Sequence, residues 1–314
     1  MFTLRGILVS CSVFVILYLS ASLLISVVWR LVGDRRGSAM RVRANALYAL
    51  RMAPLLLSLA ITFGLVVPSF LRFEPRAGEE EMGPFLFALS LTFLLLVVIG
   101  ILRGYSACSR TRGWVEQLTA HNSGVKTRSG LTVVDSQAEG PAVALAGIRN
   151  PSVLISPLAK KLLTDAELEC AIQHELAHAR AHDNLKKLLI HVCAFPGTSG
   201  LERAFLDATE FAADASVAGT ESAALDLASA LVKIARVQPG PELPTLASGL
   251  GQSPKASLEA RVEHLIHVSE NRSANDRLAH LLLAGFGLAT AAVVFVSYGN
   301  LLMFAHRATE LLVR

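Results

Sequence analysis

Charge is scarce in this chain. Only 17% of its 314 residues are Asp, Glu, Lys or Arg, while 53% are hydrophobic; ordinary globular domains carry about 25% charged residues. Mean hydropathy is +0.50. The shortage excludes a solvated, disordered chain, which combines high charge with few apolar residues. Cysteine is sparse as well. Cys11, Cys108, Cys170 and Cys193 show neither paired nor metal-type spacing, which excludes a disulfide framework or a thiolate zinc site and leaves small apolar residues. The net charge of +4 comes largely from arginines beside apolar runs. It reports topology, and no direct nucleic-acid binding is expected.

What the chain does contain is long uncharged apolar blocks. Four are long enough to cross a bilayer, which takes about 20 residues at ~1.5 Å rise each. They cover about 7–28, 52–71, 84–102 and 278–305, and none has Lys, Arg, Asp or Glu inside it. His280 and the polar stretch 297–300 are the only interruptions of the last. Lys and Arg in short loops set orientation. The first loop holds Arg30, Arg35, Arg36, Arg41, Arg43 and Arg51 against Asp34; the second holds Glu74, Glu79, Glu80 and Glu81 against Arg72 and Arg76. Arg103, Arg110 and Arg112 follow the third block. The first loop and the central region are therefore expected in the cytosol, and the N-terminus, second loop and C-terminal tail outside. The 8–11 stretch, Leu-Val-Ser-Cys, fits a lipoprotein cleavage box. Only about five residues separate Arg5 from Cys11, too few for a signal-peptide apolar core, so the first block is expected to be an anchor.

Residues 103–277 make a domain-sized insertion between the third and fourth spans. Stretches 131–135, 142–146 and 152–156 read as strands between Gly and Pro punctuation. Thr164-Asp165-Ala166-Glu167 has the form of a capping box and should start a helix running to about His182. A second amphipathic helix follows, with Leu185, Leu188, Leu189 and Val192 on one face, stopped by Phe195-Pro196-Gly197. Further helices are predicted at about 200–218, 221–237 and 256–270. Residues 238–255 hold Pro239, Pro241, Pro244 and Pro254 and read as a mobile loop.

Within the first of these helices lies His174-Glu175-Leu176-Ala177-His178, a His-Glu-x-x-His motif. Positions four apart share a helix face, so both imidazoles can reach one ion, and Glu175, one position round, can reach a water on that ion without ligating it. A catalytic zinc needs a third protein ligand and an open fourth position. Glu210, in Glu210-Phe211-Ala212-Ala213-Asp214, is the candidate, and Asp214 one turn on is placed to hold the far ring nitrogen of a ligating histidine. The chemistry this predicts is peptide hydrolysis: zinc lowers the pKa of water to about 7, and Glu175 takes its proton and later passes it to the leaving amine. Arg203, His264 and Arg261 are candidates for a further oxyanion donor. His182, turned about 80° from His174 on the helix, cannot easily share the ion; with Asp183 it reads as supporting or surface-exposed. His191, His264 and His267 have no motif context.

The runs "SVLISPLAKKLLTDAELECAIQHELAHARAHDN" and "TEFAADASV", with four spans and a zinc domain between the third and fourth, resemble the peptidase family of the bacterial beta-lactam sensor-transducers (the BlaR/MecR type). The zinc site is also similar to that of the membrane CAAX-prenyl and heat-shock proteases, which share a downstream Glu-x-x-x-Asp. The resemblance implies that His174, His178 and Glu210 are zinc ligands, Glu175 the base and Asp214 the supporting acid. It implies that Asp183 matches an aspartate that commonly follows the motif, and that strand residues upstream of the motif pair with an extended substrate. The sensor-transducers carry a large extracellular penicillin-binding domain after their last span, whereas this chain ends at Arg314 about ten residues past it, so antibiotic sensing is not expected.

Together these readings predict a mainly α membrane protein. Its three transmembrane helices in 1–102 precede a cytosolic α+β zincin-like metallopeptidase domain at 103–277, and 278–314 form a fourth transmembrane helix with a short external tail. The expected function is a zinc-dependent endopeptidase cutting a cytosolic or membrane-proximal protein; the resemblance implies a cytosolic transcriptional repressor as the substrate and a role in signal transduction. The alternative is a non-catalytic membrane scaffold or signalling subunit with a vestigial zinc site. Retention of Glu175 favours the enzyme, because that residue does chemistry and contributes no ligand.

Overall fold

The computed structural model describes residues 2–32, 40–75, 83–119, 125–128, 131–136, 140–195, 197–237, 243–250, 255–267 and 297–310. Residues 278–296 of the fourth predicted span (278–305) lie outside them, as do Arg35, Arg36, Arg76 and the second loop's Glu79, Glu80 and Glu81.

Three helical runs among the described residues are long and apolar enough to cross a bilayer: Phe2–Leu31, Arg41–Phe73 and Pro84–Thr119. Each exceeds its predicted block, because charged flanks extend a helix without ending it. The first run is α1 (Phe2–Val32). The second combines α2 (Met40–Ile61), a π-helical segment (Thr62–Val66) and α3 (Val67–Phe73). Pro68 accounts for the π segment: it has no N–H, and its ring crowds the carbonyl four residues back. That carbonyl, of Gly64, instead accepts a hydrogen bond from the Tyr298 hydroxyl at 2.8 Å. Tyr298 belongs to a helix over residues 297–310. At the same end Arg5 pairs with Glu74 at 2.9 Å.

The third run, α4 (Pro84–Thr119), is one helix of 36 residues, about 54 Å by rise. It does not end at residue 102, where the sequence placed the membrane boundary. Its last turns carry Trp114, Val115 and Leu118 onto the sheet, packed with Val134, Ala146, Leu154 and Ala247.

Among the described residues that sheet has five strands, in the order β1-β2-β4-β3-β5. They are β1 (Val125–Arg128), β2 (Leu131–Asp135), β3 (Val143–Ala146), β4 (Ser152–Ile155) and β5 (Ala247–Gly249). β2 and β4 run parallel; the other neighbours are antiparallel. β1 and β5 escaped the sequence reading. β5 is a correction: it lies inside the stretch read as a mobile loop, yet Ala247, Ser248 and Gly249 are all buried against β3.

The other face of the sheet meets the helices. After α5 (Pro157–Leu162), α6 (Asp165–Arg180) and α9 (Glu221–Val237) bury Ile172, Leu176, Leu227 and Leu231 against Val143, Leu145 and Val153. α6 starts at the predicted capping box. The Thr164 hydroxyl accepts from the Glu167 backbone at 3.3 Å, and the Glu167 carboxylate accepts from the Thr164 backbone at 2.8 Å. Between them come α7 (Asp183–Val192) and α8 (Ser199–Val217), and α10 (Lys255–His267) follows β5. α8 packs along α2 through Ala44, Leu47, Met52, Leu201 and Phe205. The apolar face of α7 includes the buried Ile190, while Leu185, assigned to that face by periodicity, is 40% exposed.

Candidate metal centre

Two imidazoles, one turn apart on α6, face α8 from inside the protein. His174 and His178 are buried, and their Nε2 atoms stand 3.2 Å apart. Glu210 of α8 brings one carboxylate oxygen to 3.5 Å from His174 Nε2 and the other to 3.5 Å from His178 Nε2. These three side chains form a group able to hold a metal ion. Their spacing suits a tetrahedral zinc, whose donors at ~2.0–2.1 Å stand about 3.3 Å from one another. The sequence-assigned ligands are thus brought together.

The far nitrogen of each ring meets its own carboxylate. Asp214 Oδ1 lies 3.0 Å from His174 Nδ1, and Asp183 Oδ2 lies 2.8 Å from His178 Nδ1. Such pairs hold Nδ1 as the protonated nitrogen and turn Nε2 toward the ion. Asp214 was assigned this role from the sequence. Asp183 was left between supporting and surface roles, and the structure buries it completely. His182 adopts a left-handed backbone (φ 54°) that breaks α6 from α7 and lets Asp183 turn back onto His178. α6 accordingly ends at Arg180, two residues short of the predicted limit. Asp183 is also tied to the membrane helices, since Arg41 of α2 reaches it at 3.6 Å and Lys186 bridges it to Asn45 of α2.

Arg261 of α10 closes the far side. It is wholly buried and grips Asp214 through Nε at 2.6 Å and Nη2 at 2.7 Å, while Nη1 reaches Glu210 at 2.9 Å. A planar guanidinium suits this fork. Burial alone would raise both carboxyl pKa values; Arg261, helped by the histidines, instead holds Asp214 low and Glu210 well below the usual range. Burial would likewise depress His174, yet Asp214 and Glu210 push it up to about 9. The pocket therefore favours a positive charge at its centre, the demand a divalent cation meets. Arg261 was one of three candidates for an oxyanion donor, and it serves these carboxylates. Of the other two, Arg203 is exposed and bonded to the Ser199 carbonyl, and His264 stacks edge-on against Phe211.

Glu175 is also wholly buried. Its Oε2 accepts a hydrogen bond from the Ser248 hydroxyl at 3.0 Å, whereas its Oε1 has no hydrogen-bond partner among the described residues. Ser248 lies on β5 and was not foreseen. Three residues among prolines carry no strand period, so no sequence signal marked it.

A cavity of about 430 Å³ opens beside Glu210, lined by Ile190, Glu202, Phe205 and Leu206 on one side and Ala247–Gly249 on the other. The strand edge at this cleft is β5, downstream of the motif. Among the described residues β3 and β4 are each paired on both sides, and the edges of the sheet are β1, upstream of the motif, and β5.

The family model described as Peptidase family M48 matches residues 110–238. The match includes both histidines, Glu175, Asp183, Glu210 and Asp214, and stops before Ser248 and Arg261. No curated protein matches the chain. The match supports a metal-dependent peptidase, a hydrolase, and the three apolar helices support membrane association.

Proposed function

We propose that this protein is a multi-pass membrane zinc endopeptidase of the beta-lactam sensor-transducer type, with its peptidase part on the cytosolic side and both termini outside. By the resemblance, its substrate is a cytosolic or membrane-proximal protein such as a transcriptional regulator. One observation carries the catalytic reading. A buried glutamate, Glu175, is fixed at one oxygen and, among the described residues, unpartnered at the other, on the helix that supplies two converging imidazoles.

His174, His178 and Glu210 would hold the zinc. When bound, it supplies Lewis acidity and brings the pKa of water to about 7. Ser248 holds Glu175 Oε2, so Oε1 is the atom that takes a proton from the attacking water and delivers it to the leaving amine. Asp183 and Asp214 keep Nδ1 of each imidazole protonated. Arg261 keeps Glu210 and Asp214 ionised and in place. An extended substrate segment would lie along the outer edge of β5, where backbone pairing sets its direction and the Ile190–Phe205 side of the cleft takes an apolar side chain.

The test is metal content together with cleavage. Purified wild-type protein and Glu175→Gln should both carry one zinc per chain, and only the wild type should cut an unfolded protein such as β-casein. Equal cleavage by the two would refute the assignment of Glu175. Zinc without any cleavage would favour the scaffold reading.

A further inference from the structure

The charged and titratable side chains that line the cleft are Lys187 and His191 of α7 and Glu202, Asp207 and Glu210 of α8. The three carboxylates are already engaged. Glu202 accepts from Arg51 Nε at 3.1 Å and from the Thr198 hydroxyl at 2.9 Å. Asp207 accepts from the Ser257 hydroxyl at 3.1 Å. Glu210 is held by Arg261 and faces the two imidazoles.

Lys187 is the exception. It is partly buried, and among the described residues no hydrogen bond or ion pair holds its ammonium group. The preceding residue shows the contrast. Lys186 reaches Asp183 at 3.5 Å and Asn45 of α2 at 3.0 Å. One residue turns the side chain about 100° round a helix, which takes Lys187 off that contact and onto the cleft. It stands one turn beyond Asp183, about 6 Å by rise, and Asp183 itself backs His178.

The same wall stays positive further along. The His191 pKa is lowered, first by burial and then by Arg103 of α4, with Arg110 adding to this and Glu202 opposing it. The imidazole is therefore neutral at pH 7, in a field set mainly by arginines. The opposite wall, from Leu243 to Gly249, carries no charged residue.

Covering an ammonium group with substrate strips its water, a cost that only an ionic or hydrogen-bonding partner offsets. No carboxylate of the cleft is left to do so. A substrate carboxylate does it best, through opposite charge and a charge-assisted hydrogen bond. An apolar side chain would cover the ammonium without pairing it, and a basic one would meet like charge. From Glu210 to Glu202 the cleft follows two turns of α8, about 12 Å by rise, which is roughly four extended residues of substrate.

We infer that Lys187 is a specificity-determining residue, which binds the side-chain carboxylate of an Asp or Glu within about four residues of the bond that is cut. The inference rests on the peptidase reading above and adds the class of sequence the cleft accepts. Lys187 touches the substrate away from the reacting atoms, so the hydrolysis itself is unchanged.

The experiment uses the zinc-loaded full chain in detergent micelles and an end-blocked peptide library of randomised sequence, with Glu175→Gln as the control. Blocked ends leave side chains as the only source of carboxylate. Wild-type cuts, located by mass spectrometry, should be enriched in Asp and Glu at one fixed position. In a favoured peptide, changing that acid to its amide should lower kcat/KM roughly 10-fold, mostly through KM, as expected for a hydrogen bond to a charged group. Lys187→Met should cut the acid and the amide alike. Lys187→Glu should prefer Lys or Arg at that position with its zinc content unchanged, a reversal that no folding defect produces. No acid enrichment in wild type, or the same enrichment in Lys187→Glu, would overturn the inference and leave the peptidase intact. Unchanged specificity in Lys187→Met together with loss of co-purified phospholipid, measured as phosphorus, would assign the ammonium to a lipid headgroup and likewise overturn it. No cleavage of any peptide by wild type would remove the peptidase reading, and this inference with it.

Discussion

Glu175 and Glu210 carry the same side chain into the same site, and their neighbours give them different tasks. Glu210 faces two imidazoles and Arg261, which hold it as a carboxylate ready to ligate. Glu175 meets one hydroxyl and, among the described residues, keeps an oxygen unpartnered. Glu210→Gln should therefore lose most of its zinc, whereas Glu175→Gln should keep its zinc and lose turnover by about 10²–10⁴-fold, the usual worth of a general base. Competition with a zinc indicator separates the two. The carboxylates behind the rings come next. Asp183→Asn and Asp214→Asn should each weaken zinc binding by about 10–100-fold, because the Nδ1 proton loses its acceptor. Equal affinity in Asp183→Asn would show that Asp183 only joins α6 to α7. At this scale the sequence was most legible: His174, His178, Glu175, Glu210 and Asp214 all follow from helical spacing within two short segments. Asp183 was left between a supporting and a surface role, and Arg261 was named as a candidate oxyanion donor. One acts through a left-handed turn, and the other arrives from a helix 47 residues beyond Asp214.

Glu167 ties α6 to α9. Besides closing the capping box, its carboxylate receives Lys233 at 2.6 and 2.7 Å and the Ser229 hydroxyl at 2.5 Å. Burial opposes ionisation, but these donors prevail and lower its pKa from 4.5 to about 2. A depressed folded-state pKa stabilises the fold above the unfolded value, and that stability is lost as pH falls through the folded one. Glu167→Gln should thus lower stability at neutral pH by about 1–3 kcal/mol. The difference from wild type should shrink as pH drops from 4.5 toward 2. Denaturation followed across that range would show it, and a difference independent of pH would mean that packing is responsible. The same helix shows how elements were read. α6 and α9 were predicted nearly in full because caps and a 3.6-residue period are local signals. β5 was not, because a three-residue edge strand acquires its identity from pairing with β3.

The membrane helices and the peptidase fold share their packing. α4 runs unbroken from its apolar stretch to the sheet, α2 lies along α8, and Arg41 of α2 reaches Asp183 behind His178, one of the candidate metal ligands. Removing the metal should therefore be felt across the whole protein. A ligand that binds only the folded state adds about 2.7 kcal/mol at a free concentration 100 times its Kd. Chelation should lower the melting temperature, and zinc should restore it. Because the packing is continuous, Trp29, which sits against Gly200 of α8, and Trp114 beside the sheet should report one coincident transition. Separate transitions would mean that the two parts fold independently.

Sequence alone determined whatever depends on neighbours along the chain. Uncharged apolar length marked four blocks, three of which form helices long enough to cross a bilayer among the described residues; a capping box located the start of α6, and an i, i+4 pair of histidines placed two rings on one face. Tertiary structure decided what depends on distance through space. It selected Asp183 for His178, brought Arg261 onto Asp214 and Glu210, aimed Ser248 at Glu175, and set Phe195 against Tyr18 of α1. Helical periodicity is a local property, so one segment can announce it. A buried carboxylate acquires its task from whichever charge or hydroxyl the fold sets beside it, and no spacing within a single segment records that partner.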